Sequence, residues 1–322
     1  MTSVNASRLT SVLISFLVLL ALFWVGLRHS SVAVELGPAF ARAFVSFALL
    51  FAPLWFSGFG ACALLEPLAG WKKVLAATLL ALPYFVFALG TPVFAWRVAA
   101  AVIAFPALLA AFLEAARLPP RLVWRDLVAL AIITVAYFLD WFHLAWPLAE
   151  LALLPKLFLA DIAVYCFFLI RGVPGSGNSL LPTWSALRVG IREWAFYVPF
   201  ALILGEATGF LDFHPTLPSL GKVAAAILYT SLLIALPEEL FFRAILQNLL
   251  ETRLGRHGAL AAASILFGLS HFHHGARFNS RYVLLAGIAG IFYGRAWRAH
   301  REIVAAICTH TAVDVVWSMW FR

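Results

Sequence analysis

The chain has 322 residues, 64% of them hydrophobic and only 12% charged, with a mean hydropathy of +0.96. A globular domain is about 45–50% apolar and about 25% charged, so a soluble protein, a disordered chain, a collagen-like fibre and a disulfide-stapled module are all excluded. The net charge of +8 is spread as short Lys/Arg clusters between apolar runs, a pattern of membrane topology rather than of a basic face for nucleic acid.

At about 20 residues per span, apolar runs bounded by charges, Pro or Gly predict roughly eleven transmembrane helices. Their centres fall near Val18, Leu50, Leu80, Ala104, Ile133, Val164, Phe200, Leu233, Ile265, Ile288 and Val313. The first run is too long for a secretory h-region and no Ala-x-Ala-like site follows it, so it reads as a retained helix. The runs are continuously apolar rather than alternating, which predicts an all-α, polytopic helical membrane protein and not a barrel. One alternating set of loops carries fourteen Lys and Arg, the opposite set eight, and Arg243 alone lies inside a span. That asymmetry puts the N-terminus in the cytoplasm. Cys62, Cys166 and Cys308 lie in apolar runs without metal-type spacing and read as packed thiols.

Residues 172–192 (GVPGSGNSLLPTWSALRVGIR) form the longest polar, Gly/Pro/Ser-rich stretch. Within it Trp184, Leu187 and Ile191 recur at helical spacing beside Arg188 and Arg192, as in a helix lying on a membrane surface. This segment is the expected linker between additional N-terminal helices, residues 1–171, and a C-terminal helical core, residues 193–322.

Charges at bilayer depth are costly and point to function. The densest group lies in SLLIALPEELFFRAILQNLL, where Glu238 and Glu239 are adjacent and Arg243 follows four residues after Glu239. Positions i and i+4 share a helix face, so Glu239 and Arg243 can pair, while Glu238 is turned about 100° away. Two readings stand: a structural ion-pair cluster, or a site in which Glu238 serves as a general base or acid. The next run ends in Phe267-x-x-x-His271, followed by His273 and His274, and the last carries His310-x-x-x-Asp314. A histidine in an apolar run is more often packed than catalytic, but two on separate helices after a Glu pair hold the ingredients of a hydrolytic site. Glu206 can line the same cavity or pack. Asp161, Asp140 and Glu114 leave a second path through the N-terminal half open, the last two reading as snorkelling ends. Gly205-x-x-x-Gly209 and Gly290-x-x-x-Gly294 read as close helix packing, and Trp141, Trp146, Trp317 and Trp320 as interfacial anchors.

Glu238-Glu239-x-x-x-Arg243, Phe267-x-x-x-His271 and His310-x-x-x-Asp314, in that order, resemble the CPBP intramembrane proteases, the group that includes the type II CAAX prenyl endopeptidase. The resemblance covers roughly residues 193–320. It implies a glutamate-dependent peptidase site within the membrane, acting on a membrane-anchored or lipidated protein. By analogy Glu238 and His271 hold and activate water, His310 and residue 314 stabilise the oxyanion, and Glu239, Arg243 and Phe267 shape the site. The last motif commonly ends in Asn, which can donate a hydrogen bond; Asp314 as a carboxylate only accepts. It can be kept protonated, or orient His310, or mark a site that has left peptide hydrolysis. The resemblance implies metal-free chemistry, against which stands a zinc ion held by Glu238, His271 and His310. The residues also leave open a non-proteolytic immunity or scaffold protein on the same fold and a proton-coupled transporter.

Overall fold

The computed structural model describes residues 6–115, 119–272 and 279–321; His273 and His274 lie outside the described residues. Eleven helices carry the described residues, with no strand among them. Each of the eleven expected span centres falls in helical backbone. The chain divides into two compact units, Met1–Gly172 and Val173–Arg322.

The first unit contains α1 (Ala6–Arg28), α2 (Ser31–Ser57), α3 (Gly70–Ala88), α4 (Trp96–Glu114), α5 (Trp124–Phe138) and α6 (Ala149–Ile170). Aromatic rings knit α1 to α2: Phe16 lies 6.0 Å from Phe51 and Phe23 lies 5.7 Å from Phe47. Arg171, just past α6, closes a buried ion pair with Asp126 of α5 at 2.8 Å and donates to the carbonyls of Pro119 and Arg121. Trp146 departs from the interfacial role expected of it. It is 2% exposed, and its indole N–H donates to the Ser46 hydroxyl at 2.9 Å. An indole that finds such an acceptor can be buried at little cost. Trp141, at 49% exposure, does face outward. Asp140 and Glu114 are exposed at helix ends, whereas Asp161 is buried within α6.

The second unit contains α7 (Trp184–Ala207), α8 (residues 220–254), α9 (residues 256–270), α10 (Ser280–His300) and α11 (Ile303–Trp320). Thr183 caps α7, its hydroxyl oxygen accepting from the Ala186 N–H at 3.0 Å and its proton going to Glu302. The helix then runs unbroken to Ala207. The boundary expected at 192–193 therefore falls inside a helix, and the irregular segment is residues 173–183. That segment is tied to the turn before α11, where the Gly177 carbonyl accepts from the Ile303 N–H and the Ser176 carbonyl from the Trp297 indole. α8 and α9 are divided at Gly255, whose φ of 66° and ψ of 177° suit glycine alone.

Helices α9 and α10 meet at small residues. A Cβ on Gly268 would lie 2.6 Å from the Val283 carbonyl oxygen, and one on Gly290 would lie 3.2 Å from the Ser264 Cα. Gly290-x-x-x-Gly294 is thus a packing face. Gly205-x-x-x-Gly209 is not: Gly209, with φ of 62°, ends α7, and Gly205 accommodates Leu211 of the following loop. Glu206 is exposed at that same end. Seven stretches are long and apolar enough to cross a membrane: Leu9–Arg28, Ser31–Ser57, Gly70–Ala88, Trp96–Glu114, Ala149–Ile170, Leu220–Ser270 and Ile303–Trp320. The protein is a multi-pass, all-helical membrane protein.

Candidate active site

The site is built around a deformation of α8. Pro237 has no N–H to give the carbonyl of Leu233 and would clash with it in a regular α-helix. The backbone widens to π geometry over Thr230–Ala235 and again over Leu240–Gln247, leaving a single α turn, Leu236–Glu239, between them. Such widened turns recur at functional sites. Glu238 and Glu239 sit on that turn and their side chains part company. Glu239 is 0% exposed and Glu238 29%.

Glu239 reaches two partners. Its Oε2 lies 3.0 Å from Arg243 Nε, the pairing that the four-residue spacing implies, and its Oε1 lies 2.8 Å from His310 Nδ1 on α11. Arg243 is fully buried, with its guanidinium carbon 5.0 Å from the Phe267 ring, 5.8 Å from Tyr293 and 5.9 Å from Phe242. A desolvated cation over aromatic faces gains about 2 kcal/mol, which offsets part of its burial.

His310 is fixed from three directions. Glu239 holds Nδ1, the Tyr293 ring stacks on the imidazole at 4.5 Å and 15°, and Phe267 meets it edge-on at 5.7 Å. A carboxylate accepts only, so Nδ1 carries the proton in that bond. The atom left for chemistry is Nε2, which lies 3.4 Å from Asp314 Oδ2 and 3.9 Å from Glu238 Oε2. The Glu238 and Asp314 side chains are each about 30% exposed while His310 is 3%, and the Glu238 oxygen that faces the ring is buried. Next to His310, the Thr309 hydroxyl donates to the Gly190 carbonyl at 3.0 Å and locks α11 to α7.

His271 sits just beyond the end of α9, at φ −92° and ψ 8°. Its Nδ1 lies 2.9 Å from the Phe267 carbonyl oxygen and 3.2 Å from the Ser270 hydroxyl. Phe267 touches both histidines, 4.9 Å from His271 and 5.7 Å from His310, so the three motifs meet around one ring. Among the described residues, no group of three or more His, Cys, Asp or Glu side chains is arranged to hold a metal ion.

Residues 220–316, which span all of these groups, match the family model of the type II CAAX prenyl endopeptidase, Rce1-like. They are a domain of that family. The family is one of hydrolases, and membership implies intramembrane protease activity. No curated protein and no solved structure matches the chain.

The prenyl-endopeptidase domain also contains contributors that motif reading passes over. Tyr293 stacks on His310, and Tyr282 lies 4.9 Å from His271. Both belong to α10, which carries no motif. The signal for Tyr293 was present: it follows Gly290 by three residues, on the face that packs against α9. The bond from Glu239 to His310 spans 71 residues and has no counterpart in local spacing.

Proposed function

We propose that the chain is an intramembrane endopeptidase that hydrolyses a peptide bond near the membrane in a lipidated or membrane-anchored protein. Glu238 takes a proton from the attacking water, with His271 as its second holder. The oxygen attacks the scissile carbonyl carbon, and His310 with Asp314 meets the oxyanion; collapse of the intermediate breaks the C–N bond as Glu238 returns its proton to the leaving amine. Glu239 and Arg243 act as positioning residues. The observation that carries this reading is the pair of partly exposed carboxylate side chains flanking Nε2 of a histidine whose other nitrogen is already committed to Glu239.

Asp314 in place of an amide fits this chemistry if one proton is held between its Oδ2 and His310 Nε2, 3.4 Å apart. That shared proton then donates to the oxyanion, a pre-placed donor of the kind that stabilises tetrahedral intermediates. Glu238 alone acts as the base. The eleven helices span the bilayer with the N-terminus in the cytoplasm, and the six N-terminal helices restrict or present the substrate. The test is Glu238→Gln in native membranes. Peptide termini of membrane proteins should go unprocessed in the variant; unchanged processing refutes the base, and a changed ion gradient with unchanged termini favours transport.

A further inference from the structure

Behind the site, α8 carries a row of polar side chains that the hydrolytic chemistry does not use. Glu239, Arg243, Gln247 and Glu251 follow at four-residue intervals. The first three are fully buried and the Glu251 side chain is 11% exposed. The row runs from the face of His310 to the end of α8.

Among the described residues the row finds few partners. Arg243 faces Glu239 through Nε, but Nη1 and Nη2 find no hydrogen-bond acceptor. Gln247 Nε2 donates to the Gly294 carbonyl at a long 3.4 Å, and its Oε1 accepts nothing. Ser264 on α9, 3% exposed, also lacks a partner for its hydroxyl, as does Glu251 for Oε1. These atoms share one seam. Gly294 lies against Gln247 and, one turn along α10, Gly290 lies against Ser264. At the outer end Glu251 pairs with Arg301, whose Nη1 also donates to Asn248 Oδ1 at 2.9 Å; Arg301 is 42% exposed.

Buried polar groups are nearly always hydrogen-bonded, to protein or to ordered water. A buried site takes up water when it has room for the molecule and several polar atoms line it, whereas apolar cavities stay dry. The row offers donors from Arg243 and acceptors from Gln247 and Glu251, with a hydroxyl between, and cation and carboxylates offset each other. That mixture suits a neutral molecule that both donates and accepts. We propose that the seam binds a chain of internal water molecules leading from the Glu251–Arg301 surface to the Glu239 side of the site. It supplies the water consumed in hydrolysis when substrate fills the opening at Glu238 and Asp314. The supply role rests on the peptidase reading; the binding of water does not.

The test uses the full chain in lipid nanodiscs. X-ray radiolytic labelling in ¹⁸O-water should mark Phe242, Leu246 and Phe267 beside the row. The marks should fade in the near-isosteric apolar variant Gln247→Met combined with Ser264→Ala. The same double variant should cut single-turnover cleavage at least tenfold, with KM and thermal stability held. No label along the row in the wild type overturns water binding without any variant being needed. Full-rate cleavage by a folded double variant overturns the supply role. Cleavage that is insensitive to Glu238→Gln overturns the peptidase reading instead, and the labelling still decides the water chain.

Discussion

Replacing either member of the glutamate pair by Gln should separate folding from chemistry. Glu239 and Arg243 are both 0% exposed and 3.0 Å apart, so Glu239→Gln leaves a buried guanidinium without its counter-charge. Breaking such a pair from one side costs about 3–5 kcal/mol. In a unit of this size each kcal/mol moves the unfolding temperature by about 2–4 °C, so the midpoint should fall by about 6 °C or more. Glu238 is 29% exposed and its Oε2 lies 3.9 Å from His310 Nε2. A pair that loose contributes about 0–1 kcal/mol, so Glu238→Gln should unfold within about 4 °C of the parent. Its cleavage rate should nonetheless fall by about 10²–10⁴, the usual worth of a positioned general base. Thermal unfolding in detergent, followed by tryptophan fluorescence and paired with a cleavage assay, measures both. A Glu238 variant that unfolds early beside a stable Glu239 variant would refute the division of roles.

Tyr293→Phe keeps the ring on His310 and should hold kcat within a few-fold, while Tyr293→Leu should lower it about 2–12-fold at constant KM, from an aromatic contact of about 0.5–1.5 kcal/mol. Steady-state kinetics of the two variants distinguish ring from hydroxyl. Asp314→Asn should retain cleavage within about tenfold, because an amide can donate where the shared proton did, whereas Asp314→Leu removes the donor and should lose about 10²–10³. Equal rates in the two Asp314 variants would contradict that. A strong chelator should leave turnover unchanged and elemental analysis should find no stoichiometric zinc; about one equivalent, lost on mutating His271 or His310, would move the mechanism to metal-activated water.

Helical periodicity is a statement about one element, and it reads well what happens within one. The Glu239–Arg243 pair, the placement of every span centre in helical backbone and the packing face at Gly290 and Gly294 all follow from spacing along a single helix. What spacing cannot carry is a partner from another helix. Glu239 also grips His310 on α11, and Tyr293 and Tyr282 reach the histidines from a helix whose own sequence carries no motif. The same limit explains Trp146. Its place at the edge of an apolar run fits an interfacial anchor, but Ser46, a hundred residues earlier, gives its N–H an acceptor in the interior. Glu206 shows the converse: a charge drawn inside a run lies at the exposed end of a helix that Gly209 terminates. The polar stretch after residue 172 shortens in the structure for a local reason, since the Thr183 cap starts α7 at Trp184.

The central claim is that Glu238 drives hydrolysis of a membrane-anchored protein. It is tested most directly by mapping protein termini in membranes from cells carrying the parent chain or Glu238→Gln at equal abundance. The account predicts a small set of membrane proteins whose ends remain uncut in the variant alone. Identical termini in the two membranes would contradict it.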